Sequence, residues 1–183
     1  MAGNLSLNFH IITNNLNLGM GHYRANSTDS YKFNVMSDNI KVGDLVYKKW
    51  YSFEADILMA DGSKFQLRPK GFWDSKVELT DESTTLLEIK MGWKGIVIKT
   101  YFDRQEKHFL LKLKGLLGDK FILIDDKNQE FMRTESDFKW KTLNYEYSIE
   151  TTESFDRLGY RNLLLLALVH SMNYYMTFIS SAS

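Results

Sequence analysis

The 183-residue chain has no cysteine and only one proline. The first absence excludes disulfides and thiolate metal sites, and it fits a reducing compartment. The chain also lacks an excess of either charge: Lys plus Arg and Asp plus Glu each number 23. A dedicated nucleic-acid-binding domain is normally basic, so this balance argues against that partner class. No glycine-rich phosphate loop is present, because Gly19-Met20-Gly21 lacks both the later glycine and a following helix. The four histidines, His10, His22, His108 and His170, stand at no metal-ligand spacing. No nucleophile elbow or comparable frame occurs, so neither a cofactor nor a reaction is indicated. Residues 1–7 carry no basic segment and no long apolar run. A secretory signal is therefore not expected, and the location expected is cytoplasmic or membrane-peripheral.

What is present is alternation. Tyr31, Phe33 and Val35 point one way, with Lys32 and Asn34 between them. Phe53, Ala55, Ile57 and Met59 repeat the pattern, as do Phe65 and Leu67. A period of two marks half-buried strands. Asp61-Gly62 between two such runs suits a tight hairpin that tolerates positive φ at both positions. Further strands are expected over 5–12, 42–49, 72–79, 84–91, 96–102, 107–114, 119–124, 129–134 and 139–150. Residues 13–30 read as a long loop. Pro69 falls just past a strand, where its missing N–H does little harm. About eleven or twelve short strands with frequent turns predict a sandwich or barrel within one domain.

The pattern changes after Gly159. Leu163 to Val169 is apolar on every side, and a helix of that kind must be surrounded by lipid or by protein. As a membrane anchor, residues 161–179 would span about 28 Å, near the roughly 30 Å of a bilayer core. His170 and Asn173 near mid-span are costly in hydrocarbon. As a core element, the helix over 160–179 would fill a closed sheet too wide for its own side chains. The prediction is a mainly β, about twelve-stranded antiparallel closed barrel around a central apolar C-terminal α-helix.

This order of elements resembles the tubby C-terminal-like superfamily, which includes the phospholipid scramblases and the LURP-one-related proteins. The resemblance rests on the Asp61-Gly62 hairpin, the meander 84–114 and the final helix 161–179. It implies a twelve-stranded barrel around a hydrophobic helix. It also implies association with membrane lipid or phosphoinositide, and it does not imply an enzyme. The tubby signature, the proline- or cysteine-rich N-terminal region of animal scramblases and an acidic calcium loop are all missing from this chain.

The best local feature is basic. Residues 90–120 hold eight basic side chains against three acidic ones. If the meander pairs as its turns suggest, Lys90, Val97 and Lys112 form one outward row. Glu88, Lys99 and Leu110 form the next, and Lys114 lies beyond. Lys90, Lys99, Lys112 and Lys114 are thus candidate ligands for anionic phospholipid or phosphate. The plain alternative is solvated outward lysines that guard a sheet. A second basic candidate is Lys64, Arg68 and Lys70, beside Gly71-Phe72-Trp73. The functional expectation is a non-enzymatic binding or scaffold module. A carrier of a small apolar ligand inside the barrel and a tail-anchored protein stand as alternatives.

Overall fold

Phe33, Ile57, Leu67, Leu79, Leu87, Ile89, Ile96 and Ile98 are all buried, and each alternates with outward neighbours. Side chains of this period give a sheet one dry face, and curling the sheet on itself covers that face. The computed structural model describes residues 21–29, 31–49, 53–70, 76–114, 120–139 and 144–181. Its strands are β1 (His22–Asp29), β2 (Lys32–Ser37), β3 (Ile40–Tyr47), β4 (Ala55–Met59), β5 (Lys64–Lys70) and β6 (Lys76–Asp81). They continue as β7 (Thr84–Gly92), β8 (Gly95–Thr100), β9 (Lys107–Lys114), β10 (Lys120–Asp125), β11 (Glu130–Lys139) and β12 (Asn144–Thr151). Every strand pairs with its sequence neighbours, and β1 closes the ring against β12. A short helix α1 (Glu153–Asp156) leads into α2 (Arg161–Ser181).

The final helix fills the lumen. Leu164 through Ser171, and Met172, are fully buried. His170 stacks on Tyr47 of β3 with ring centroids 5.6 Å apart. The Thr134 hydroxyl of β11 donates to the Met172 sulfur at 3.5 Å. Tyr175 meets Phe121 of β10 edge-on at 5.9 Å. Contacts with strands on different sides of the ring require a helix along its axis. Gly43 of β3 marks a close approach: a Cβ there would lie 2.8 Å from the Leu58 carbonyl oxygen and 3.2 Å from Leu166 Cδ1. Among the described residues no helix is long and apolar enough to cross a membrane. The polar second half of α2 meets protein instead. His170 Nδ1 lies 3.2 Å from the Tyr47 hydroxyl, and Asn173 hydrogen-bonds the same tyrosine.

Connectors alternate between two rims. α2 begins at the rim that carries the turns at 38–39, 60–63, 82–83, 101–106 and 126–129, here called the start rim. Its end approaches the opposite rim, which carries the Trp93-Lys94 turn, and there Tyr174 of α2 packs on Phe53. The start rim is fastened by Asp156. Its Oδ2 accepts from the Gly21 amide at 3.1 Å, and its Oδ1 from the Thr151 hydroxyl at 2.7 Å. Arg161 donates to the Asp156 carbonyl at 2.6 Å. These bonds tie the leading end of β1, the end of β12 and the first turn of α2 together.

Four expectations need correction. Residues 13–30 are not all loop, since β1 occupies His22–Asp29 and makes the barrel seam. Of its inward side chains, Tyr23, Ala25 and Ser27, only Tyr23 is large, so the apolar alternation is weak. The strand expected over 5–12 lies outside the described residues. The run 139–150 is not one strand: β11 ends at Lys139 and β12 starts at Asn144. Pro69 stands within β5 opposite Val77, not beyond a strand. In the β4–β5 turn only Gly62 has positive φ, at 92°. The Gly62 amide donates to Met59, and the Asp61 carboxylate caps the Ser63 amide at 2.9 Å. This is a three-residue hairpin loop, not the two-residue form.

Candidate functional site: the lysine face and the Trp93 rim

The four candidate lysines do not form one patch. Lys90 does lie opposite Val97, and Glu88 opposite Lys99. On the next pair, however, Val97 faces Leu110 and Lys99 faces His108. The expected rows Lys90–Val97–Lys112 and Glu88–Lys99–Leu110 are therefore each two residues out of register on β9. The faces survive because a shift of two preserves the pleat. The cause lies in the connector. β8 ends at Thr100, and a 3-10 turn takes Phe102–Arg104. Phe102 stacks on Tyr160 with centroids 4.0 Å apart, which draws it over the start of α2 and out of the ladder.

Each lysine then has its own setting. Lys99 lies 3.7 Å from Glu106 and opposite Glu88, so its charge is balanced. Lys112 lies opposite Ile122, and Lys114 opposite Lys120. Lys114 and Lys120 border an outer groove of about 450 Å³ shared with Arg133, Glu130, Glu135 and Glu150. There Lys120 bonds Glu135 at 2.7 Å and Arg133 bonds Glu130 at 2.8 Å. That groove has both signs of charge and favours no anion.

Lys90 belongs to a different cluster. It lies opposite Lys76, which lies opposite Lys70, so three lysines stand side by side across β5, β6 and β7. Like charges placed directly opposite repel, and such a row needs compensation or a ligand. Lys76 is compensated, at 2.7 Å from Glu78 and 2.9 Å from Glu88. Its hydrogen bonds to Glu78 and Glu88 raise its pKa above the ordinary lysine value. Lys70 and Lys90 flank it, exposed, with no ion pair among the described residues. Neighbouring Arg68 is committed to the fold: it bonds Asp56 at 2.6 Å and the Ala55 carbonyl at 2.8 Å. The second candidate set thus reduces to Lys70. Lys64 sits at the opposite end of β5, and residues 71–75 lie outside the described residues.

Lys70, Lys76 and Lys90 approach the rim that carries the β7–β8 turn. Gly92 and Gly95 frame that turn, and Gly95 has φ 139°. A Cβ at Gly95 would meet the Leu111 carbonyl oxygen at 2.4 Å, so the turn closes directly against β9. At its tip Trp93 is fully exposed beside exposed Lys94. Tyr31, on the same rim, is 47% exposed. The start rim differs in charge: its turns carry Asp38, Asp61, Glu82, Glu106 and Asp126 against Arg104 and Lys127. The row through Lys70 and Lys76 escaped the sequence reading because those residues lie outside the 90–120 window and meet Lys90 only through strand pairing. Among the described residues no group of three His, Asp or Glu side chains can hold a metal ion. Comparison with protein-family models, with characterised proteins and with solved structures returned no match.

Proposed function

We propose that this protein is a non-enzymatic binding module that attaches peripherally to anionic phospholipid through its lysine face. The observation that carries this reading is the row Lys70–Lys76–Lys90 on three neighbouring strands, with two of its three charges unpaired among the described residues. Lys94 extends the same positive surface to the rim. Each lysine near an anionic bilayer contributes about 1 kcal/mol. The resemblance to the tubby C-terminal-like superfamily supports the same partner class. The carrier alternative finds no support in a lumen occupied by α2.

The test is sedimentation of the full chain with vesicles of phosphatidylcholine containing phosphatidylserine. Binding should weaken as salt rises, because exposed charges are screened. Lys70→Glu with Lys90→Glu should weaken it at least about tenfold while leaving thermal stability unchanged. Lys112→Glu with Lys114→Glu should have a smaller effect, since those lysines border a groove already populated by glutamates. Equal loss from both pairs would dismiss the Lys70–Lys90 surface in favour of diffuse charge.

A further inference from the structure

Trp93 has no packing role in the barrel. Its side chain is fully exposed, on a two-residue tip fixed by glycines and by the close approach of Gly95 to β9. An aromatic ring held out on a hairpin tip beside a lysine has the chemistry of a membrane–water interface, where the ring sits at headgroup depth and the ammonium meets phosphate. The start rim has an exposed apolar residue too, Ile40 at 72%. Ile40 borders a depression shared with Asp38, Asp61, Lys41 and Arg161, where the charges balance and both cations are engaged, Lys41 with Asp44 and Arg161 with the Asp156 carbonyl. Lys70 and Lys90 lie on the outer wall just behind the Trp93 tip. At the Trp93 rim an exposed aromatic tip adjoins lysines with no ion pair among the described residues, whereas Arg104 and Lys127 of the start rim share their turns with Glu106 and Asp126.

We propose that the barrel docks end-on, with the Trp93 hairpin inserted into the headgroup region of an anionic bilayer and the start rim facing away. This rests on the lipid reading above and adds to it an orientation and an inserted residue. Electrostatics would bring the lysine wall to the surface, and Trp93 would then hold it there through contacts that salt does not screen.

The cysteine-free sequence allows single labels. Lys94→Cys and Ser63→Cys in the full chain place an environment-sensitive fluorophore at the Trp93 rim and at the start rim. With phosphatidylserine vesicles, the label at 94 should shift to the blue and be quenched by headgroup-region nitroxide lipids. The label at 63 should not respond. Trp93→Ser should lower vesicle affinity about tenfold with unchanged thermal stability, and its remaining binding should be more salt-sensitive than the parent's. If both labelled chains sediment with the vesicles but the label at 94 does not respond, or if Trp93→Ser binds as the parent does, end-on insertion is wrong and the lipid reading stands. If the parent does not bind these vesicles, both fail. Binding to soluble heparin without binding to vesicles would likewise overturn both and point to another polyanion.

Discussion

At the start rim Asp156 accepts from the Gly21 amide and the Thr151 hydroxyl, and Arg161 closes on its carbonyl. At the Trp93 rim the corresponding polar groups, Lys70, Lys90 and Lys94, make no ion pair among the described residues, and the neighbouring ring stands in solvent. The Asp156 lock puts its charge to work within the fold, whereas these three lysines present theirs to solvent. The contrast follows from topology. α1 and the first turn of α2 must be anchored where the chain enters the lumen, so that rim carries side-chain hydrogen bonds linking segments far apart in sequence. The far end of α2 needs no such lock, because Leu164 to Met172 are already enclosed.

Removing the lock should give the largest effect on stability. Asp156→Ala leaves the Gly21 amide without its acceptor and the Thr151 hydroxyl with only the longer bond to the Gly21 carbonyl at 3.3 Å, in a partly buried setting. Each lost partner of this kind costs about 1–3 kcal/mol, which lowers the melting temperature by roughly 5–15 °C at this chain length. Thermal unfolding followed by circular dichroism would measure it. Vesicle binding by the folded variant should match the parent's. Impaired binding without loss of stability would mean that the start rim also meets the partner, and the division between the rims would collapse.

The interior beneath the Trp93 rim supplies a second, pH-dependent test. His170 is fully buried, and desolvation holds its pKa down at about 3. Its Nδ1 approaches the Tyr47 hydroxyl, and its Nε2 has no hydrogen-bond partner among the described residues. The folded pKa lies below the unfolded value, so the unfolded chain takes up the proton first. This contribution to stability is complete above about pH 6.5 and is lost as pH falls toward about 3. The slope is at most about 1.4 kcal/mol per pH unit. Denaturant unfolding at stepped pH should show it, and His170→Leu should flatten that part of the curve. An unchanged slope in the variant would assign the acid sensitivity to surface carboxylates.

The sequence disclosed the parts of this fold that repeat. Alternation along Phe33–Val35, Ile57 and Ile96–Ile98 is a local property, and so is the Leu163–Val169 run; together they predict strands, closure and a filled lumen. It did not disclose β1, whose inward Tyr23, Ala25 and Ser27 carry only a weak hydrophobic signature and are held by β12 and β2 on either side. Nor did it disclose the site. Lys70, Lys76 and Lys90 become neighbours only through two strand registers, and the β8–β9 register turns on Phe102 choosing Tyr160 over the ladder. Of the four lysines singled out from sequence, Lys90 alone belongs to the row that now carries the proposal.

The smallest effect expected comes from Lys99, and it sharpens the comparison most cheaply. Lys99 shares the outer wall with Lys90, yet Glu106 at 3.7 Å and the facing Glu88 already balance it. An exposed pair of this kind contributes roughly 0–1 kcal/mol, so Lys99→Ala should leave stability nearly unchanged. Its vesicle affinity should stay within about twofold of the parent's, against a larger loss for Lys90→Ala. The two positions carry the same charge on adjacent strands and differ in what already neutralises them and in their distance from the Trp93 rim. Equal losses would show that total charge on the wall governs binding. A loss confined to Lys90 would show that binding depends on the lysines that stand without an ion pair beside the Trp93 rim.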